Sequence, residues 1–222
     1  DRTYMIRYPS EVTKASYPVV FFFHGAGGKA DGPSKRWSPH VDKRDLIVIS
    51  AEAVQPQAKW NFRDKFHDEE HDDVGFIMKV VEALVSSQVA DSKAIYATGH
   101  SSGGLFCYRL AKEVTVFAAL SPMSCGMVKG AHEPNQKTKL VPIFQVIGDQ
   151  DKSYNGSQNS KVTMHSAAKR IDIWKKFNQC APSPVVNEKG KEGFLKFWKI
   201  GGWMMLLLER IIIVNLIKQS FS

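Results

Sequence analysis

The stretch Thr98-Gly99-His100-Ser101-Ser102-Gly103-Gly104 sets a serine between two glycines, each two positions away, in the pattern G-x-S-x-G. An apolar run, Ala94 to Gly99, leads into it and a helical pattern leaves it, which is the setting in which a sharp strand-to-helix turn exposes a nucleophile. The glycines let neighbouring chain approach that turn, and the Ser101 hydroxyl is pushed out at the carboxyl end of the sheet. The Ser102 amide, opening the helix, would face the oxyanion that develops during acyl transfer.

A second amide is required. Val20-Phe21-Phe22-Phe23-His24-Gly25-Ala26-Gly27-Gly28 offers one, since a strand ending in H-G-x-G-G has the form of an oxyanion loop, with the backbone N–H of Ala26 as the candidate donor. The alternatives are a plain glycine-rich turn or a phosphate loop, and neither G-x-G-x-x-G nor a P-loop lysine is present to favour the latter. Further on, Asp149-Gln150-Asp151 follows the apolar run Pro142 to Gly148. Either aspartate could orient a histidine there, and a turn built on local hydrogen bonds is the simpler alternative. The order serine, then acid, is that of one arrangement of the hydrolytic triad.

These residues need elements to position them. Short runs rich in Val, Ile, Phe and Ala predict strands buried on both faces at Val19 to His24, Leu46 to Ala51, Ala94 to Gly99, Val116 to Ser121 and Pro142 to Gly148. Arg2 to Tyr8 alternates and reads as an edge strand. Helical spacing links Val74, Ile77, Val81, Leu84 and Val85, then Leu105, Tyr108, Leu110 and Ala111, then Ile171, Trp174 and Phe177. Asp72 and Asp73 suit the start of the first of these helices. Alternating strand and helix predict an α/β fold, a mostly parallel sheet with helices on both faces. Residues 1–200 read as one domain and 201–222 as an atypical tail.

The 222 residues, 43% apolar and 11% aromatic, suffice for one sizeable core and exclude disorder and collagen-like repeats. Thirty Lys and Arg against 22 Asp and Glu give +8, but six basic and two acidic residues from Lys189 onward put +4 of it in the last 34 positions. No basic stripe concentrates the charge elsewhere, so nucleic acid is not an expected partner. Ile200 to Leu208 is apolar, yet Glu209 and Arg210 interrupt it, so a membrane span is not expected. Cys107, Cys125 and Cys180 are odd in number and far apart, against a zinc ribbon or a redox C-x-x-C pair. The chain opens at Asp1 with no charged-then-apolar leader after it, the expectation for a processed product.

His67 and His71 flank an acidic run and share a helical face, which raises a metal reading. The pattern is not H-E-x-x-H, however, and a solvated charged turn explains it, so no metal and no cofactor are expected. Trp60, Phe62 and Phe66 would line an aromatic-acid pocket or simply pack in the core.

From Arg2 to Cys180 the chain resembles the poly(3-hydroxybutyrate) depolymerase and feruloyl esterase group of carbohydrate esterase family one. The residues that carry this are His24 to Gly28, Trp60-Asn61, Asp72-Asp73-Val74-Gly75-Phe76-Ile77, Thr98 to Gly104 and Gly148-Asp149-Gln150-Asp151. The resemblance implies an α/β-hydrolase fold with little or no lid. It implies a secreted, extracellular serine esterase acting on plant cell-wall polysaccharide esters or small aromatic esters, feruloyl esters first. Poly(3-hydroxybutyrate) or acetylxylan are the alternatives. It also selects Asp151 as the acid, three residues after Gly148. An esterase fold without a working base, binding polysaccharide only, is the other class of reading.

The resemblance breaks at the base. In the family a histidine follows the last strand after a glycine pair, and this chain has Ile200-Gly201-Gly202-Trp203-Met204-Met205, so the histidine is expected near Met204. The only histidine after Asp151 is His165. Trp and Met have single codons, so Trp203-Met204-Met205 must be written TGG ATG ATG. One base C restored after TGG would read Trp-His-Asp, and the Ile-rich tail would then be a shifted frame.

Overall fold

The computed structural model describes residues 2–54, 58–63, 71–158, 162–183, 186–190, 193–200 and 203–209. Nine strands form the main sheet in the order β1-β3-β2-β4-β5-β7-β12-β11-β10. They are β1 Tyr4–Arg7, β2 Tyr17–Phe23, β3 Ile47–Ala51, β4 Ala90–His100, β5 Ala119–Met123, β7 Phe144–Ile147, β10 Val186–Gly190, β11 Gly193–Ile200 and β12 Trp203–Glu209. From β3 across to β12 every pairing is parallel; β1 joins one edge antiparallel, and β11 and β10 join the other antiparallel. A small sheet holds β6 Met127–Val128, β9 Thr163–His165 and β8 Ser157–Gln158.

Continuous apolar strands are buried on both faces because helices cover both. On one face Val20 and Val48 pack with Leu46 and with Val41 of α1 (Asp31–Arg44). On the other, Val19, Phe21, Phe23, Ile47 and Ile49 meet Ile77 and Val81 of α2 (Asp73–Ser86), Phe106 and Leu110 of α3 (Ser102–Glu113), and Ile171 and Trp174 of α4 (Ala167–Phe177). The parallel sheet, the edge strand near Arg2 to Tyr8, and helices at the three predicted places all form.

The structure departs from the sequence reading in several places, among them the unpredicted short strands β6, β8 and β9 and a β4 that starts at Ala90 rather than Ala94. Helix α1 is unpredicted, because its sequence is mostly polar and carries Pro33 near its start and Pro39 inside. Strand β5 begins at Ala119 rather than Val116, since the Tyr96↔Ala119 to His100↔Met123 register with β4 sets its limits. After residue 183 a hairpin and a further strand follow, with β12 inserted beside β7 in the register Leu206↔Phe144 to Glu209↔Ile147. No helix among the described residues is long and apolar enough to cross a membrane.

Candidate active site

Ser101 joins β4 to α3 with φ 53° and ψ −114°, a conformation that costs a non-glycine residue roughly 1–3 kcal/mol and persists only when its surroundings hold it. They do. Its N–H donates to the Met123 carbonyl at 3.0 Å, and its own carbonyl accepts from Leu105 N–H at 3.0 Å, starting the helix. A Cβ at Gly99 would overlap the backbone of Gly103, and one at Gly103 would overlap the carbonyl of Phe23. Both glycines of G-x-S-x-G are therefore fixed by close backbone approach. Ser102 begins α3, so its N–H has no intrahelical acceptor.

The Gly25–Gly28 loop runs beside this elbow. A Cβ on Gly25 would stand 3.1 Å from His100 Nδ1 and 3.4 Å from the Ser101 Cβ. Gly27 takes φ 75° and donates its N–H to the Ala58 carbonyl at 3.1 Å, and Gly28 N–H donates to the Gly25 carbonyl at 3.0 Å. Ala26 between them is exposed, and its N–H has no acceptor among the described residues. His24 is 3% exposed and shapes the loop: Nε2 accepts from Ala53 N–H at 3.1 Å, which leaves Nδ1 to donate to the Gly25 carbonyl at 2.7 Å.

Asp151 lies in the turn after β7. Its Oδ1 accepts from Ser153 N–H at 2.8 Å and Ser153 Oγ at 2.7 Å, so the turn hydrogen bonds weighed for this acid are present. The turn is anchored from α4. Arg170, fully buried, donates Nη1 to the Cys125 carbonyl and Nη2 to the Ser153 carbonyl at 3.4 Å. Burial pushes the Cys125 thiol up to about 12 against the opposing pull of Arg170, and Asp151 adds to the rise; burial likewise raises Cys107 well above an ordinary thiol. All three cysteines are free thiols.

His165, the sequence candidate for the base, is engaged elsewhere: its Nε2 meets Glu133 Oε1 at 2.7 Å. His132 is fully buried, taking Val128 N–H on Nδ1 and donating Nε2–H to the Phe62 carbonyl at 2.6 Å. Among the described residues no hydrogen bond joins a histidine to Ser101. Met204 pairs with Lys199 near the start of β12. Because β12 runs parallel to β7, position 204 lies toward the edge opposite the strand ends where Ser101 sits, so the place expected for the base is not brought to the elbow. The unbroken apolar run Trp203 to Leu208 continues as strand instead of turning after the glycine pair.

No group of three or more metal-ligating side chains exists among the described residues, and His67 with its acidic neighbours to 70 lies outside them. Trp60 is 2% exposed and stacks on Phe106 at 5.0 Å, so it packs in the core; Phe62 is partly buried against it, and Phe66 lies outside the described residues. Residues 201–202 and 210–222 of the tail also lie outside them. Arg170 and the clamp role of His24 were not foreseen. A basic residue four before Trp174 on the apolar face of α4 was the available signal for Arg170.

Sheet order, helix placement and elbow together define an α/β-hydrolase fold. An acetyl xylan esterase from Aspergillus awamori matches it with TM-score 0.63 at 14% identity over 94% of this chain and 87% of that one. A poly(3-hydroxybutyrate) depolymerase from Bordetella parapertussis matches with TM-score 0.57 at 18% identity, covering 72% and 64%. By sequence the chain is similar to feruloyl esterase B of Piromyces equi, 26% identical over 205 residues, 85% of this chain and 38% of that protein. It is also 24% identical over 153 residues to a bifunctional acetylxylan esterase/xylanase of Neocallimastix patriciarum, 68% of this chain and 21% of that one. The chain thus spans under two fifths of the length of these two relatives. No protein-family model matches it. The names of these relatives, feruloyl esterase and acetylxylan esterase, agree with the likeness to carbohydrate esterases drawn above from the motifs.

Proposed function

We propose that the chain is a serine carboxylic-ester hydrolase acting on ester-substituted plant cell-wall polysaccharide, feruloyl esters first, outside the cell. The observation that carries this is Ser101 at φ 53°, with an unbonded first-turn amide beside it and the Gly25 to Gly28 loop alongside. In this reading Ser101 Oγ attacks the ester carbonyl as its proton passes to a base, the N–H groups of Ala26 and Ser102 hold the oxyanion, the alkoxide leaves as the alcohol with that proton, and water, deprotonated in turn, releases the acid from the acyl-enzyme. Asp151 is the acid that would orient a base. The names of the relatives support the ester and polysaccharide classes.

The base is the open position, and it favours a second reading: an esterase fold that binds polysaccharide without turning it over. Loss of one triad member leaves on the order of 10³–10⁴-fold catalysis over water from the oxyanion hole and binding alone. Titration with a fluorophosphonate separates the two. Stoichiometric labelling that disappears in Ser101→Ala supports the hydrolase; a folded wild-type chain that stays unlabelled supports the binding protein.

A further inference from the structure

The two amides assigned to the oxyanion lie on different elements, Ala26 on the loop after β2 and Ser102 on α3, and one short segment is bonded to both. Residues 58–62 cross between them. On the loop side, the Ala58 carbonyl accepts from Gly27 N–H at 3.1 Å, and Trp60 Nε1–H donates to the His24 carbonyl at 2.9 Å. On the helix side, Trp60 N–H donates to Ser102 Oγ at 3.3 Å, and Arg109 Nη1 donates to the Asn61 carbonyl at 2.8 Å. The segment is pinned from below as well. Asn61 N–H donates to Asp73 Oδ2 at 2.5 Å, and the Phe62 carbonyl accepts from His132 Nε2 at 2.6 Å. The Trp60 ring packs in a triangle with Phe23, which ends β2, and Phe106 of α3, its centroid 5.0 Å from each and theirs 5.1 Å apart.

We propose that Trp60 is a positioning residue for the oxyanion hole, holding the Ala26 and Ser102 amides in one frame through the 58–62 strap. This rests on the hydrolase reading above and assigns a residue that touches no substrate. An oxyanion hole works only when its donors are set before the charge develops, and a displacement of about 1 Å can cost on the order of 100-fold. Trp60 bonds both sides, by its indole to the loop and by its backbone to Ser102.

The test uses Trp60→Phe, which keeps a ring in the stack and removes the indole donor, and Ser102→Ala, which keeps the amide and removes the acceptor of Trp60 N–H. Phenylboronic acid is the probe: Ser101 Oγ adds to boron, the hydroxyl proton leaves to water, and the tetrahedral anion occupies the oxyanion position. Its affinity is measured by titration, beside the amide exchange of the segments 24–30 and 102–106 by mass spectrometry and the melting temperature. Both variants should bind the probe about tenfold or more weakly and exchange faster in the 24–30 segment, while α2 exchanges as in the wild type. The double variant should be no worse than the weaker single one, because both cut the same connection. A folded Trp60→Phe with unchanged exchange overturns the proposal, as does faster exchange with unchanged affinity. If wild-type affinity is the same as that of Ser101→Ala, the hydrolase reading fails on its own. The 24–30 exchange then still decides the strap, which is overturned if Trp60→Phe leaves it unchanged.

Discussion

Gly103 sits directly under the Phe23 carbonyl, so close that any side chain at 103 would overlap it. This contact sets how deeply α3 is seated on β2, and with it the height at which Ser101 stands over the sheet. Gly103→Ala must push helix from strand against backbone, which has no rotamer to yield. The expected outcome is a loss of roughly 1–3 kcal/mol in urea unfolding, together with loss of Ser101 labelling even where the variant remains folded. Unchanged stability would show that the elbow is looser than the packing implies.

Asp73 is 2% exposed and holds two segments of the chain at once: Arg2 Nη2 at 2.6 Å and Asn61 N–H at 2.5 Å. Its neighbour Asp72 only caps α2, accepting from Gly75 N–H at 2.8 Å. The pair separates two costs. Asp73→Ala leaves the Asn61 amide unbonded and the half-buried Arg2 without its carboxylate, and should cost about 1–3 kcal/mol, whereas Asp72→Ala loses a cap worth about 1 kcal/mol. Chemical denaturation of both variants checks the order, and an equal effect would contradict it.

The fold and the elbow were legible because few residue types meet their demands. Gly99 and Gly103 answer backbone overlap, and the β-branched and aromatic runs answer burial on both faces. What stayed hidden acts through groups that side-chain identity does not reveal. The strap bonds through the Ala58, Asn61 and Phe62 backbone, and its aromatic residues read equally well as pocket or core. Helix α1 was masked by Pro33 and Pro39. Arg170 was masked because a lone arginine on a helix is ordinarily solvated, whereas here two carbonyls replace the water.

Glu133 and His165 predict a pH dependence that belongs to stability and not to catalysis. Burial raises the Glu133 carboxyl, but hydrogen bonds from His165 and the Gly130 amide outweigh it, leaving the group below its ordinary value. A carboxylate depressed by folding stabilises above its unfolded pKa, about 4.3, and loses that contribution as pH falls through the folded value. His165→Ala should therefore be less stable than wild type near pH 6, with the gap closing as the pH drops below about 4. Its ester turnover should stay within about twofold of wild type. A collapse of turnover in His165→Ala would reinstate it as the base.

The thiols should divide by burial. Cys125 and Cys107 are buried and raised, Cys125 to about 12, so neither offers thiolate at pH 8; Cys180 is only partly buried. Iodoacetamide at pH 8 should label Cys180 first and reach the other two only on unfolding. Early labelling of Cys125 would mean that the packing between α3 and the acid turn opens in the native state.

The most direct measurement is hydrolysis of 4-nitrophenyl acetate and methyl ferulate by the wild-type chain beside Ser101→Ala and His165→Ala. The account predicts turnover that vanishes in Ser101→Ala and survives in His165→Ala. Equal turnover in Ser101→Ala, or none in a folded wild-type chain, would contradict a serine esterase centred on Ser101.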